Sequence, residues 1–412
     1  KVFGELVEET HHTPRIGAPD LHAMLERGER VVVVDGRPFA EYRKMNIPGS
    51  LCCPNGELPL RISAIVENEA IPIVVNCAGR TRSIIGAQTL LELGIRNPVF
   101  ALENGTQGWT LAGFELERGS ARRYPSAPPQ TDLTERARVS AELAARQGVR
   151  SLDPGEARQW LADPARTTYL LDVRTPEEFE TEAVPGARNA PGGQLVQATD
   201  QWLAVRGARV LLLDHDGIRA PIVARWLRRM GWDAHTVRVP VGTVIADRAV
   251  GSAVASTLPL PVPVTHDVLD EWRQSGDCLV LDVRPSMEFR RGHIPGSTWS
   301  IRPRIARDVP AGAKRIALVS DDLLVLRLVA RELAERKNVA LRYLDGGYRR
   351  WVAEGRPTEA SPEVPTDRDA IDYLFFVHDR HEGNLEAARQ YLAWEQGLVA
   401  LLEPEERARF KP

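Results

Sequence analysis

Residues 31–54 read VVVVDGRPFAEYRKMNIPGSLCCP, and two later passages repeat the plan: YLLDVRTPEEFETEAVPGARNAP at 169–191 and LVLDVRPSMEFRRGHIPGSTWSI at 279–301. Each has an apolar run, Asp-x-Arg, a glutamate beside an aromatic residue, and Ile- or Val-Pro-Gly. Each opens like a strand buried on both faces. About 40 residues after each Asp-x-Arg comes a second apolar run followed by a helical period: IVVNCAGRTRSIIGAQTLLELG (73–94), VLLLDHDGIRAPIVARWLRRMG (210–231) and IALVSDDLLVLRLVARELAE (316–335). Alternating strand and helix predicts a parallel sheet covered by helices, and an internal repeat fixes the architecture at three such modules.

The fold class expected is therefore α/β: three tandem modules, each a parallel sheet flanked by helices, plus a helical C-terminal extension. The division reads as a connector at 1–12, a first module at 13–120, and a linker with a connecting helix at 121–148. A second module follows at 149–238, a linker at 239–261, a third module at 262–360 and the extension at 361–412. The linkers are proline-rich and lack a period. Copies one and three close alike on Gly-x-x-x-Trp (Gly105 to Trp109, Gly347 to Trp351), whereas copy two lacks this tryptophan. The extension, charged and aromatic at helical spacing, is expected to pack on a module or on a second subunit.

A net charge of -3 with mixed signs gives no basis for a nucleic-acid or membrane surface. No apolar run approaches the ~18 residues of a membrane span. Four cysteines in 412 residues, irregularly spaced, point to free thiols and a reducing, cytoplasmic setting. The chain opens on Lys1 rather than methionine, which reads as a fragment or processed form.

Cys77 ends an apolar strand and precedes a polar loop and a helix. A thiolate is the nucleophilic form of cysteine, and lowering a thiol from ~8.5 to ~6.5 needs about 2.7 kcal/mol. A helix N-terminus alone seldom supplies that. The amides of Ala78, Gly79, Arg80, Thr81, Arg82 and Ser83 are expected to complete an anion nest, with positive charge from Arg80 and Arg82. The counterparts of Cys77 are Asp214 and, by a looser alignment, Ser320, neither of which carries a persulfide. Arg82 aligns with Arg219 but Arg80 with Gly217, which suggests a partly architectural Arg82 and a dedicated substrate ligand in Arg80. Asp35 and Arg37 recur as Asp172 and Arg174, and as Asp282 and Arg284, and read as a structural ion pair that also borders the pocket. Glu57 and Arg61 are candidates to face the same loop. Cys52, Cys53 and Cys278 read as inert, His378 and His381 as too few for a metal site, and His11 and His12 as part of a flexible end.

Asp-x-Arg, glutamate with an aromatic, Ile-Pro-Gly, the Cys-Ala-Gly-Arg-Thr-Arg-Ser loop and the Gly-x-x-x-Trp close resemble the rhodanese family of sulfurtransferases, from Thr13 to about Ala360. The resemblance implies sulfane-sulfur transfer through a Cys77 persulfide without cofactor or metal. The implied partners are a small anionic donor such as thiosulfate and a thiophilic acceptor such as cyanide, a thiol or a protein. Loop arginines favour thiosulfate over a mercaptopyruvate-like donor, for which the family usually places small neutral residues there. Similar bacterial proteins carry four modules, so a further one before Lys1 is an expectation of the resemblance alone. A protein-to-protein persulfide carrier, with the modules lacking cysteine as docking surfaces, is the alternative. A phosphatase or arsenate reductase is disfavoured, because Arg82 follows Cys77 as C-x4-R, one residue short of a loop that surrounds phosphate. The C-terminal helices are also candidates for a homo-oligomer contact.

Overall fold

The computed structural model describes residues 1–126, 133–238, 245, 258–276, 278–334, 339–373, 375 and 384–412. Three five-stranded sheets share one topology. The first holds β1 (Arg15–Ile16), β2 (Val32–Asp35), β3 (Leu51–Cys52), β4 (Ile73–Asn76) and β5 (Val99–Leu102), in the order β1-β5-β4-β2-β3. The second, β6 (Ser151–Leu152), β7 (Thr168–Asp172), β8 (Arg188–Asn189), β9 (Arg209–Leu213) and β10 (Asp233–Val237), runs β6-β10-β9-β7-β8. The third, β11 (Val262–Val264), β12 (Leu279–Asp282), β13 (Thr298–Trp299), β14 (Arg315–Val319) and β15 (Ala340–Leu344), runs β11-β15-β14-β12-β13. Every strand pair in the three sheets is parallel.

The apolar runs that open each copy become β2, β7 and β12, and the second runs become the central strands β4, β9 and β14. Their central residues are apolar because helices cover both faces of a parallel sheet. Open α/β sheets present ligands at the carboxyl ends of strands where the order reverses. That edge, after β4, carries Cys77.

Six helices matter for the site: α1 (Val2–His11), α2 (Thr81–Glu92), α3 (Gly105–Leu111), α4 (Leu133–Arg146), α5 (Arg219–Arg229) and, at the C-terminus, α6 (Leu385–Gly397). Where a flexible end is expected at His11 and His12, α1 forms, and His11 at its last turn contacts Arg229. The cause is its apolar face: Phe3 and Val7 are buried with Ile84, Ile85, Ile222 and Trp226. Trp226 of α5 lies 5.8 Å from the Phe3 ring and donates its indole N–H to Thr89 Oγ1 at 2.9 Å. The first and second modules therefore share a core. The expected connecting helix exists as α4, and its Arg136 donates to Pro59 O at 3.0 Å.

The chain divides into two compact units, Lys1–Val250 with Asp379–Pro412, and Gly251–His378. The second unit holds the third sheet and closes on Trp351, fully buried, whose indole donates to Pro357 O at 2.8 Å. Trp109 closes the first module in the same way on Glu115 O at 2.9 Å. Most of the corresponding end of copy two, residues 127–132 of the first linker, most of the second linker, and His378 with His381 lie outside the described residues.

Candidate active site

Cys77 follows the last residue of β4, is 2% exposed, and opens a four-residue loop before α2. The loop is held from the side of its carbonyls. Thr106 N donates to Cys77 O at 2.8 Å, and Gln107 donates to Ala78 O through N at 3.2 Å and Nε2 at 2.9 Å. Gly105, at φ 54°, makes this approach feasible, since a Cβ there would stand 2.2 Å from Cys77 O. This accounts for the glycine of Gly-x-x-x-Trp. With the Cys77 and Ala78 carbonyls committed to α3, the amides of the loop and of the first turn of α2, which has no intrahelical acceptors for them, remain available to an anion. Ser83 Oγ lies 3.7 Å from Cys77 Sγ and itself donates to Arg80 O at 2.7 Å.

Neither loop arginine is idle. Arg80 is buried against Glu5 of α1, with Nε to Oε1 at 2.9 Å and Nη2 to Oε2 at 2.9 Å, and also pairs with Glu8. Burial lifts the Glu5 carboxyl above its usual range against the pull of Arg80. Arg82 makes a two-pronged pair with Glu41 at 2.9 and 2.8 Å. Burial works against its charge, and Glu41, followed by the nearby Cys77 sulfur, outweighs burial. Both arginines thus reach the loop already bound to carboxylates. Sequence reading missed this because Glu5 and Glu8 sit in a segment taken for a loose connector. The hydroxyl of Thr81 turns to Glu395 Oε1 at 2.8 Å.

Asp35 and Arg37 form a fully buried pair, Nε to Oδ1 at 2.9 Å and Nη2 to Oδ2 at 2.7 Å, and Asn76 Nδ2 adds a bond to Oδ2 at 2.9 Å. Asp172 with Arg174 and Asp282 with Arg284 repeat it. In all three the guanidinium also reaches a carbonyl eight residues on, at Met45, Glu182 and Gly292. The motif ties a strand end to the following segment, which explains its survival where the cysteine is absent. Glu57 meets the second module, where its Oε1 accepts from Arg219 at 2.8 Å, while Arg61 lies 3.4 Å from Glu57 Oε2 and donates to Ser126 O at 3.1 Å.

The other thiols sit in poor places for a thiolate. Burial pushes Cys52 up to about 12 and Cys278 up to about 11, and it also raises the wholly enclosed Cys53.

The second and third modules place Asp214 and Ser320 directly after β9 and β14, as Cys77 follows β4. The Asp214 carboxylate accepts from Gly217 N at 3.0 Å and Ala220 N at 2.8 Å, the counterparts of the Arg80 and Ser83 amides. Acceptor oxygens at this corner of the fold are therefore gripped by loop amides. Burial and the neighbouring Asp216 nevertheless push Asp214 up to about 7 from an ordinary 3.8. Because the folded value lies above the unfolded one, the stability contributed by the neutral carboxyl is complete below about 3.8 and is lost as pH rises through about 7. Asp214→Asn stays neutral throughout. Its melting temperature relative to the parent should climb between about pH 4 and pH 7 and level off above. A difference independent of pH would contradict the assignment.

The largest feature absent from the sequence reading is the roof. Helix α6 buries Ala387, Ala388, Tyr391, Leu392 and Glu395. Tyr391 and Glu395 lie over Gly79, where a Cβ would come within 2.9 Å of Glu395 Oε2 and 3.3 Å of Tyr391 Cε1. Lys1 Nζ stands 3.2 Å from Glu395 Oε1. The expected packing of the extension on a module is thus onto the nucleophile loop of the first.

The family model of the rhodanese-like domain matches residues 17–112, 153–242 and 265–354. The crystal structure of a thiosulfate sulfurtransferase from Pseudomonas aeruginosa is similar over 100% of this chain and 78% of that one, with 39% identity and a TM-score of 0.82. "Putative sulfur carrier protein YrkF" of Bacillus subtilis is 29% identical over 103 residues, 25% of this chain. The match spans about half of YrkF, 54% of its length. The HTH-type transcriptional regulator Rv0324 of Mycobacterium tuberculosis is 24% identical over 206 residues, 48% of this chain and 87% of that protein.

Proposed function

The chain belongs to the rhodanese family of sulfurtransferases, and on that premise we propose that it moves the sulfane sulfur of thiosulfate, or of a similar anionic donor, to a thiophilic acceptor through a persulfide on Cys77. The Cys77 thiolate attacks the outer sulfur of the donor. The sulfur–sulfur bond of thiosulfate breaks, sulfite leaves with the electron pair, and a persulfide anion remains on Cys77. Cyanide or a thiolate then attacks the terminal sulfur and returns the Cys77 thiolate. Both steps are displacements at sulfur, with no net exchange of electrons with an outside carrier.

The observation that carries this reading is the second module, in which a carboxyl group at the position of Cys77 accepts from the amides at the positions of Arg80 and Ser83. Electrostatic stabilisation of that kind serves a thiolate and a persulfide equally. Arg82, anchored by Glu41, adds a positive charge near the sulfur, and Arg80 holds the loop to α1. The similarity to a thiosulfate sulfurtransferase over the whole chain supports the donor.

A donor-only incubation tests the proposal. Thiosulfate without acceptor should release sulfite in an amount equal to the chains present and then stop, and cyanide should restart it. Continuous release without acceptor, or none, would contradict the scheme. The similarity of 103 residues to a putative sulfur carrier protein favours a second reading, a persulfide carrier served by a protein donor. In that case thiosulfate yields no sulfite while a partner's persulfide loads Cys77.

A further inference from the structure

Glu395 is fully buried, and it reaches the nucleophile loop from 314 residues beyond the Thr81 that it meets. Oε1 is satisfied by the Thr81 hydroxyl at 2.8 Å and by Lys1 Nζ at 3.2 Å. Oε2, the oxygen that a Cβ on Gly79 would meet at 2.9 Å, has no hydrogen-bond partner among the described residues. A buried polar atom left unpaired is costly, so its presence beside a reactive loop calls for an explanation. Burial alone would neutralise the group, but Lys1 and Thr81 outweigh burial and hold the carboxyl below its ordinary range. Lys1 keeps 31% of its side chain exposed and faces Oε1, so its compensation of the fully buried carboxylate is partial.

The geometry points to Glu395 as a specificity-determining residue: a fixed negative charge over residues 79–81 that selects against small dianionic donors at Cys77 relative to uncharged ones. The inference rests on Cys77 as nucleophile and extends that reading to donor choice. A dianion approaching the loop meets a like charge that Lys1 offsets only in part, in a site of low dielectric where such repulsion is several times stronger than in water. A neutral reagent meets only the steric roof of Tyr391 and α6. Thiosulfate then uses the site against this charge, and the balance between donors is set by a helix outside the module that supplies the sulfur chemistry.

Two alkylating probes of nearly equal size, iodoacetate and iodoacetamide, separate charge from access. Their rates at Cys77 are read by peptide mass in the parent, Glu395→Gln, Glu395→Met and Glu395→Asp. Glu395→Gln and Glu395→Met should raise the iodoacetate-to-iodoacetamide ratio by about five- to fifty-fold, with kcat/KM for thiosulfate rising in the same direction. Glu395→Asp, which keeps the charge, should leave the ratio within about two-fold of the parent. Equal acceleration of both reagents would mean that the roof had only loosened, and an unchanged ratio in both neutral variants would mean that the charge does not act. Either result overturns the inference while leaving the nucleophile intact. A Cys77 that reacts with neither reagent would instead overturn the nucleophile on which the inference rests.

Discussion

Cys77→Ser should lower sulfur transfer from thiosulfate by about a thousand-fold or more, because the serine hydroxyl remains protonated at neutral pH and forms no persulfide. The first module alone supplies a sulfur at the corner after its central strand. The second has Asp214 there and the third Ser320. The remaining thiols are poor substitutes, since burial raises each of them and Cys53 is enclosed in the core. Cys52→Ala, Cys53→Ala and Cys278→Ala should each retain most of the turnover, with any loss following the folded fraction. Melting of Cys77→Ser should stay close to the parent, because among the described residues the one hydrogen-bonding contact of Sγ is the 3.7 Å approach to Ser83 Oγ, which a serine can keep. Substantial activity in Cys77→Ser would remove the nucleophile assignment.

Arg219→Ala should cost about 3 to 5 kcal/mol of stability, the usual consequence of stripping one partner from a buried ionic network. Arg219 is 2% exposed and binds Glu57 at 2.8 Å, Glu178 at 2.6 and 2.9 Å, and Asp216 at 2.8 Å. Without it Glu57, already lifted by burial, keeps among the described cations the 3.4 Å contact to Arg61. Arg219→Lys should recover little, because one ammonium does not reproduce the fork of a guanidinium. The counterpart Arg82 pairs with a Glu41 whose side chain is 41% exposed, so Arg82→Ala should cost less. Denaturant unfolding of the parent and the three variants gives the comparison. A loss below about 1 kcal/mol for Arg219→Ala would show that water replaces the arginine.

The repeated apolar runs made the sheets legible, since a strand buried on both faces must be apolar along its length, and the position of Cys77 at the end of such a run put it at the carboxyl edge of the sheet. The Asp-x-Arg pair was legible as architecture because it outlived the cysteine in two copies. Partners of the loop were not. Arg80 finds Glu5 75 residues upstream, and Thr81 finds Glu395 314 residues downstream, and no periodicity encodes either meeting. Glu57 and Arg61 look like loop-facing charges in PNGELPLR, yet Glu57 joins Arg219, because α5 lies against the face that α2 presents. An amphipathic helix announces that one face is covered without naming what covers it. Gly79 carried a trace of the roof, since a glycine in the loop signals a close approach from outside, but the helix responsible lies in a segment unlike any module.

The most direct measurement locates the sulfur after the donor-only incubation. Digestion under non-reducing conditions followed by peptide mass should show the peptide containing Cys77 heavier by one sulfur atom, with the peptides of Cys52, Cys53 and Cys278 unchanged, and cyanide should return the Cys77 peptide to its original mass. Sulfur found on another cysteine, or sulfite released while the Cys77 peptide stays at its original mass, would contradict the account.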